Sequence, residues 1–381
     1  MHMRRVYLDH AATTPVDPRV LEAMLPYFRE RFGNAGSIHA WGQEAREAVD
    51  HAREIVAAAI GASPAEIVFT SGATEADNLA IVGTALAQEG RGRHIITTRI
   101  EHHAVLEPCR FLESRGFVVT YLPVDRYGLV DPDEVRRAIR PDTILISVMH
   151  ANNEIGTIEP IEEIGAIARE HGIPFHTDAT QTVGILPIDV DALNVDLLSM
   201  SAHKRYGPKG VGALYVRQGT PLAPILRGGS QERNRRAGTE NVPAIVGFGK
   251  ALEIARETMG EEAASLTRLR DRFIAALLSL GEVTLNGHPT RRLPNNVNVS
   301  FKGLDSESIL LALDLRGVAA SSGSACTSGT LEPSHVLEAI GLPPEIAAGT
   351  VRFSMGRATT DEDVDYVLEV LTEILALARV G

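Results

Sequence analysis

Short β-rich runs alternate with helical stretches through the middle of this chain. The runs are Ile67–Thr70, His94–Thr97, Val118–Leu122, Thr143–Met149, Pro174–Thr177 and Asp196–Met200. Thr143-Ile144-Leu145-Ile146-Ser147-Val148 is apolar with little alternation, as expected of a strand covered on both faces. Ala104–Arg115, Asp133–Ile139 and Ile161–His171 carry helical spacing between the runs. Strand, helix and strand in succession require right-handed crossovers, so an α/β fold with a mostly parallel central sheet is predicted.

Beyond about residue 255 the pattern changes. A helical stretch, Ala251–Leu280, leads to strands near Val283–Leu285, Val297–Phe301 and Val351–Ser354. A last helix opens at Thr360-Asp361-Glu362-Asp363, an N-cap followed by an acidic first turn. Its stripe of Val364, Val367, Leu368, Leu371, Ile374 and Leu375 buries one face. The expectation is a large domain of 16–254 and a smaller α+β C-terminal domain of 255–381, with which 1–15 packs.

Bulk properties narrow the function. The 381 residues are 44% hydrophobic and 23% charged, ordinary for a soluble globular protein. No apolar run approaches the ~18 residues of a membrane span, and Met1–Val6 lacks the apolar core of a secretory signal. The formal charge of −12 argues against a nucleic-acid or anionic-membrane partner, yet leaves room for a local anion pocket. Two cysteines, Cys109 and Cys326, are too few for a disulfide framework and fit a reducing cytoplasm. Cys109 shares helical spacing with Val105 and Leu112 and reads as a small core residue. Cys326 sits in Ser321-Ser322-Gly323-Ser324-Ala325-Cys326-Thr327-Ser328-Gly329, the composition of a loop.

Open parallel sheets bind ligands beyond the carboxyl ends of their strands, and three polar groups fall at such ends. Ser71-Gly72-Ala73-Thr74-Glu75 follows a strand and opens a helix, a place for an anion with the Thr74 hydroxyl as an added donor; the alternative is a plain helix cap. Asp178 follows an apolar strand, where its carboxylate would meet a protonated ring nitrogen or, alternatively, cap a helix. Lys204, in Ser201-Ala202-His203-Lys204, precedes a Gly/Pro-rich turn and suits a Schiff-base lysine, the alternative being a solvated charge. Together they meet the recurring demands of pyridoxal phosphate: a lysine for its aldehyde, an acid for its ring nitrogen and a cup for its phosphate. His102, in Glu101-His102-His103-Ala104, offers a flat partner for the ring; a surface helix start is the alternative. The nearest soft ligand to this histidine pair is the helical Cys109, so no resident metal is expected.

These residues resemble the cysteine desulfurases, fold-type I pyridoxal-phosphate enzymes related to the class V aminotransferases. The resemblance runs nearly end to end: Tyr7-Leu8-Asp9-His10-Ala11-Ala12-Thr13-Thr14-Pro15, Gly33–His39, Ser71–Glu75, Glu101–Val105, Asn152-Asn153-Glu154-Ile155-Gly156, Asp178–Gln181, the lysine segment, Arg236-Ala237-Gly238-Thr239, Ser321–Ser328 and Arg352-Phe353-Ser354. It implies that Lys204 links to the cofactor and moves the Cα proton of the substrate. Asp178 would pair with the ring nitrogen, Gln181 would meet the ring hydroxyl oxygen, and His102 would stack as a candidate acid or base. Ala73, Thr74, Ser201 and His203 would hold the phosphate, with Thr239 reaching that of a neighbouring subunit in a homodimer. Asn153, which would also contact the cofactor, and Arg352 would hold the L-cysteine substrate, with Asn34 nearby.

The resemblance further implies that Cys326 takes the sulfur as a persulfide and hands it to an acceptor protein such as an iron–sulfur scaffold. Cys326 is then the one residue expected to ligate a cluster in passing. Ser321–Ser328 resembles the segment of a subgroup with a long, mobile catalytic-cysteine loop, many members of which dock the scaffold through a tail after the last helix; this sequence ends at Ala378-Arg379-Val380-Gly381, so docking through such a tail is not expected. The residues alone leave three other readings open: a selenocysteine lyase or other β-eliminating enzyme, an aminotransferase, and a non-enzymatic scaffold on the same fold.

Overall fold

The computed structural model describes residues 4–322 and 334–378. Its principal sheet has seven strands in the spatial order Ile67–Thr70, Gly212–Val216, Leu197–Ser201, Phe175–Asp178, Thr143–Ser147, His94–Thr98 and Val118–Leu122. Gly212–Val216 is antiparallel to both neighbours and the remaining pairs are parallel. The fold is therefore α/β with a mostly parallel central sheet, as the alternation of elements predicts.

Two cores lie on the two faces of this sheet. Phe69, Ile96, Ile146, Leu198, Ala213 and Tyr215 face one, while Val68, Ile95, Ile144, Leu197 and Leu214 face the other. Each face must be apolar, which is why the strand sequences hardly alternate. Each fully buried Ile, Leu or Phe contributes on the order of 1.5–3 kcal/mol. Cys109 belongs to the second core, where burial pushes its thiol well up; it is a packing residue.

The strand Gly212–Val216 was not anticipated. It follows the Pro208–Gly210 turn and opens on Gly212, and this cluster of proline and glycine reads locally as a breaker. The run expected over Thr143–Met149 leaves the sheet at Ser147, although Val148 and His150 still donate backbone N–H to the His176 and Asp178 carbonyls (3.1 and 2.9 Å).

A second, three-stranded antiparallel sheet joins Thr350–Ser354, Asn296–Phe301 and Val283–Leu285. Val6–Tyr7 pairs in parallel with Val318–Ala319, and Leu8 is buried with Phe273, Phe353 and Val367 of the final helix, Asp361–Ala378. One helix, Val242–Ser279, spans both cores: Ile245, Phe248 and Leu252 pack beneath the large sheet, and Leu269, Phe273 and Leu277 against the small one. It starts nine residues before the expected Ala251 (251 − 242) because Pro243, Gly247 and Gly249 look like breakers. Pro lies in the first turn, where its missing N–H is harmless. The glycines admit neighbours: a Cβ on Gly247 would meet Met24 Sδ at 2.6 Å, and one on Gly249 would meet Ala52 Cα at 3.0 Å. No helix among the described residues is long and apolar enough to cross a membrane.

Candidate active site

The strands Ile67–Thr70, His94–Thr98, Thr143–Ser147, Phe175–Asp178 and Leu197–Ser201 all run the same way. The residues that follow them therefore gather along one edge, around a cavity of about 530 Å³. That volume is typical of small-molecule sites.

Lys204 ends the short turn Ala202–Lys204 directly after its strand. Its Nζ donates to the Ala11 and Ala12 carbonyls at 2.6 and 2.8 Å. The N-terminal segment is held in place by Thr14, whose N–H and hydroxyl both donate to the His203 carbonyl (3.0 and 2.9 Å). Gln181 Nε2 donates to the Ala11 carbonyl as well, at 3.0 Å. Lys204 is thus a cavity residue rather than a solvated charge.

Asp178 is the last residue of its strand and is buried; its Oδ1 accepts the Thr180 N–H at 2.9 Å. A tight turn follows and no helix, so the capping alternative falls away. Below it, His176 Nδ1 meets the Ser147 hydroxyl at 2.8 Å and Nε2 meets Ser199 at 3.0 Å and Asp77 Oδ1 at 3.5 Å. Burial pushes His176 down to about 4, so the ring is neutral near pH 7. Burial and the Asp178 charge push the Asp77 carboxyl well up. Glu101, fully buried, is pushed up to about 8 by burial; its Oε1 accepts the Met149 N–H at 2.9 Å and the Thr98 hydroxyl at 2.8 Å.

His102 caps the helix His103–Glu113, its Nδ1 accepting the Ala104 N–H at 3.1 Å. That bond places the proton of the neutral ring on Nε2. Burial lowers its pKa, the Asp178 carboxylate works against this, and Lys204 adds to it. At the far end, Ser71-Gly72-Ala73-Thr74 opens the helix Ala73–Gln88, while Ser201 and His203 close the other side with Lys209. Burial, with Lys204 and Lys209, takes His203 down to about 4. A helix start offers N–H groups and a positive dipole end to an anion.

This donor set fits pyridoxal phosphate. It combines an amine for an aldehyde, a buried carboxylate for a ring nitrogen, an imidazole and an anion cup in one cavity. The Thr180 Oγ1 in the wall is buried with no hydrogen-bond partner, a polar atom suited to a ligand.

Arg352 reaches the same cavity from the small sheet, although only 2% of its surface is exposed. Nη1 donates to the Asn153 carbonyl and Nη2 to Asp9 Oδ1, both at 2.9 Å. Asn34 does not join them: it is exposed and closes a turn onto the Gly36 N–H at 2.8 Å. Thr239 is also exposed, outside the cavity of its own chain. Cys326 lies outside the described residues. Of the flanks of its segment, His335 lines the cavity and meets the Glu101 carbonyl at 2.9 Å, and Ser321 pairs through backbone N–H and carbonyl with the cavity residue Arg352 (3.1 and 2.6 Å).

Sequence reasoning missed the Ala11 and Ala12 carbonyls, the buried Asp77, Glu101 and Glu154, and Asp9 as the partner of Arg352. Asp9, Ala11 and Ala12 lie in a matched segment, but backbone acceptors and burial leave no local mark. Among the described residues no group of three or more His, Cys, Asp or Glu could hold a metal ion.

Known proteins resemble this chain over nearly its whole length. The aminotransferase class-V family model matches residues 6–367. A cysteine desulfurase IscS of Dictyoglomus turgidum is 59% identical over 377 residues, covering 99% of this chain and 96% of that protein. Among solved structures, a NifS-like protein superposes with a TM-score of 0.93 at 43% identity, over 98% of this chain and 100% of the other. SspA in complex with cysteine superposes with a TM-score of 0.82 at 44% identity, over 92% and 98%. The strand-edge lysine, aspartate and histidine thus sit in a chain whose likeness to known enzymes is nearly complete in length, and it belongs to the class-V aminotransferase family, among the pyridoxal-phosphate-dependent cysteine desulfurases.

Proposed function

We propose that this enzyme moves sulfur from L-cysteine to Cys326, turning the substrate into L-alanine and the Cys326 thiol into a persulfide. The balance is complete without an outside oxidant or reductant: the thiol gains one sulfur, and alanine keeps the hydrogen that the sulfur carried. The observation that carries the reading is the convergence of Lys204, Asp178, His102 and Arg352 on one cavity flanked by both ends of the Cys326 segment.

When bound, pyridoxal phosphate supplies an aldehyde for the amine and an electron-poor ring that draws charge from Cα. The protein's own groups do the rest. Arg352 takes the substrate carboxylate, a fork that lysine cannot reproduce. Lys204 Nζ would link to the aldehyde and, in the reaction, would take up and return the Cα proton of the substrate. Asp178 would hold a proton at the ring nitrogen, and Gln181 would meet the ring oxygen. His102 would serve as the flat partner of the ring and, with its proton on Nε2, would give or receive one at the cavity side. Thr74 and Ala73 at the helix start, with Ser201 and His203, would hold the phosphate. The Cys326 sulfur acts as a thiolate.

The same reading makes the exposed Thr239 a contributor to the phosphate site of a second subunit in a homodimer. Asn34 is assigned to the substrate end only through the resemblance. It also divides the chain into 16–254 and 1–15 with 255–381, places the enzyme in the cytoplasm and hands the persulfide to a protein acceptor such as an iron–sulfur scaffold.

The test compares the wild type with Cys326→Ala. Both are expected to show the visible absorption of bound cofactor, and only the wild type should form alanine and, with dithiothreitol, sulfide from L-cysteine. Normal turnover by the variant would overturn the role of Cys326.

A further inference from the structure

Outside the cavity, Glu232, Arg233 and Asn234 are successive non-glycine residues in the left-handed region, with φ of 46°, 56° and 65°. L-residues are sterically disfavoured there, asparagine least. Such a run persists only where its surroundings over-determine it.

Two sets of bonds do so, and both end on the anion cup. Glu232 is buried, and its carboxylate accepts Arg53 Nη1 and Nη2 at 2.8 Å each. Its Oε2 also accepts the Phe69 N–H at 3.0 Å, on the outer strand Ile67–Thr70 that leads into Ser71. Arg53 Nη1 donates to the Ile67 carbonyl at 2.8 Å, so the pair grips this strand twice. Four residues after Glu232, Arg236 donates through Nε to Glu75 Oε1 at 2.7 Å and through Nη2 to Oε2 at 3.2 Å. Glu75 Oε2 in turn accepts the Ser71 N–H at 2.8 Å. Phe69 and Glu75 bracket Ser71–Thr74, so one loop holds the cup on both sides.

Charge makes the second bond consequential. Glu75 lines the cavity beside the place for a phosphate. Burial pushes its carboxyl up, but Arg236 and Ser71 outweigh this and hold it below its ordinary value. It is therefore ionised, and without Arg236 its charge would oppose a bound anion.

We propose that Glu232 and Arg236 are positioning residues for the anion cup: from outside the cavity they fix Ser71–Thr74 and neutralise Glu75, and so set the affinity for the phosphate of the cofactor. This rests on the reading that the cup takes that phosphate.

The experiment measures binding of pyridoxal phosphate, and of pyridoxal without its phosphate, to the cofactor-stripped full-length wild type and variants. Phosphorus NMR of the bound form is a second readout. Arg236→Met should weaken pyridoxal phosphate about tenfold or more, shift the phosphorus resonance and leave pyridoxal nearly unchanged. Arg236→Lys should lose less, and Glu75→Gln added to Arg236→Met should regain part of the affinity. Glu232→Gln, which keeps an acceptor for Phe69, should shift the same way by a smaller factor. Equal binding of pyridoxal phosphate by wild type and Arg236→Met overturns the proposal, as does an equal fall for both ligands, the mark of general loosening. A wild type that takes up no pyridoxal phosphate overturns the cofactor assignment itself, a result distinct from either.

Discussion

Arg352 Nη2 lies 2.9 Å from Asp9 Oδ1, so a guanidinium that lines the cavity is aimed by a carboxylate from the opposite end of the chain. Its other arm is aimed by the Asn153 carbonyl. The fork is thus oriented before any substrate arrives, by partners from two distant segments.

Replacing the fork with a point charge should therefore harm binding more than folding. Arg352→Lys is expected to lower kcat/KM for L-cysteine about 10–100-fold, mostly through KM, from the loss of a charge-assisted hydrogen bond of about 1.5–3 kcal/mol. Steady-state kinetics check this; an unchanged KM would remove Arg352 from the substrate site.

Glu101 presents one oxygen to the Met149 N–H and the Thr98 hydroxyl, while its Oε2 is buried without a partner. A protonated acid fits that arrangement, as does glutamine. With its carboxyl pushed up to about 8 by burial, the folded protein keeps the proton while an unfolded chain loses it above about 4.5. The folded state then binds more protons, and this group's contribution to stability falls as pH rises from about 4.5 to 8. Glu101→Gln should abolish that fall and be more stable than wild type by at least about 1 kcal/mol at pH 8. Denaturant unfolding at both ends of the window measures it.

His150 titrates the opposite way. Burial takes it down to about 4, against 6.5 in an open chain. As pH falls below about 6.5 the unfolded chain gains a proton that the folded one refuses, so stability is lost between about 6.5 and 4. In His150→Gln this loss should be absent, the wild type being steeper by up to about 1.4 kcal/mol per pH unit. Identical slopes in urea titrations at about pH 5 and pH 6 would refute it.

Gly212 stands where the antiparallel strand passes under the cup. A Cβ there would lie 2.5 Å from the Met200 carbonyl oxygen and 2.7 Å from the Gly72 carbonyl carbon, both backbone atoms. Gly212→Ala should cost about 1–3 kcal/mol of stability by overpacking and weaken pyridoxal phosphate as well. Thermal melting and cofactor titration of the variant test both effects.

Much of the large sheet was legible because its strands are short, apolar and bounded by polar turns. Lys204, Asp178 and Thr74 stood out because they sit just at or past such strands, where a parallel sheet directs its loops. Gly212–Val216 and the first turns of Val242–Ser279 escaped because glycine and proline read locally as breakers. In the fold they serve close packing against Met24, Ala52 and Gly72.

From its order of residues alone, the chain determined a mostly parallel sheet with an amine, a carboxylate and an anion turn along one edge, since periodicity and strand ends are local properties. Tertiary structure alone decided what surrounds them. The Ala11 and Ala12 carbonyls on Lys204, Asp9 on Arg352, Arg236 on Glu75 and the raised carboxyl pKa of Asp77 and Glu101 all arise from segments distant in sequence. Burial and charge pairing are sums over neighbours in space, and no local pattern contains them.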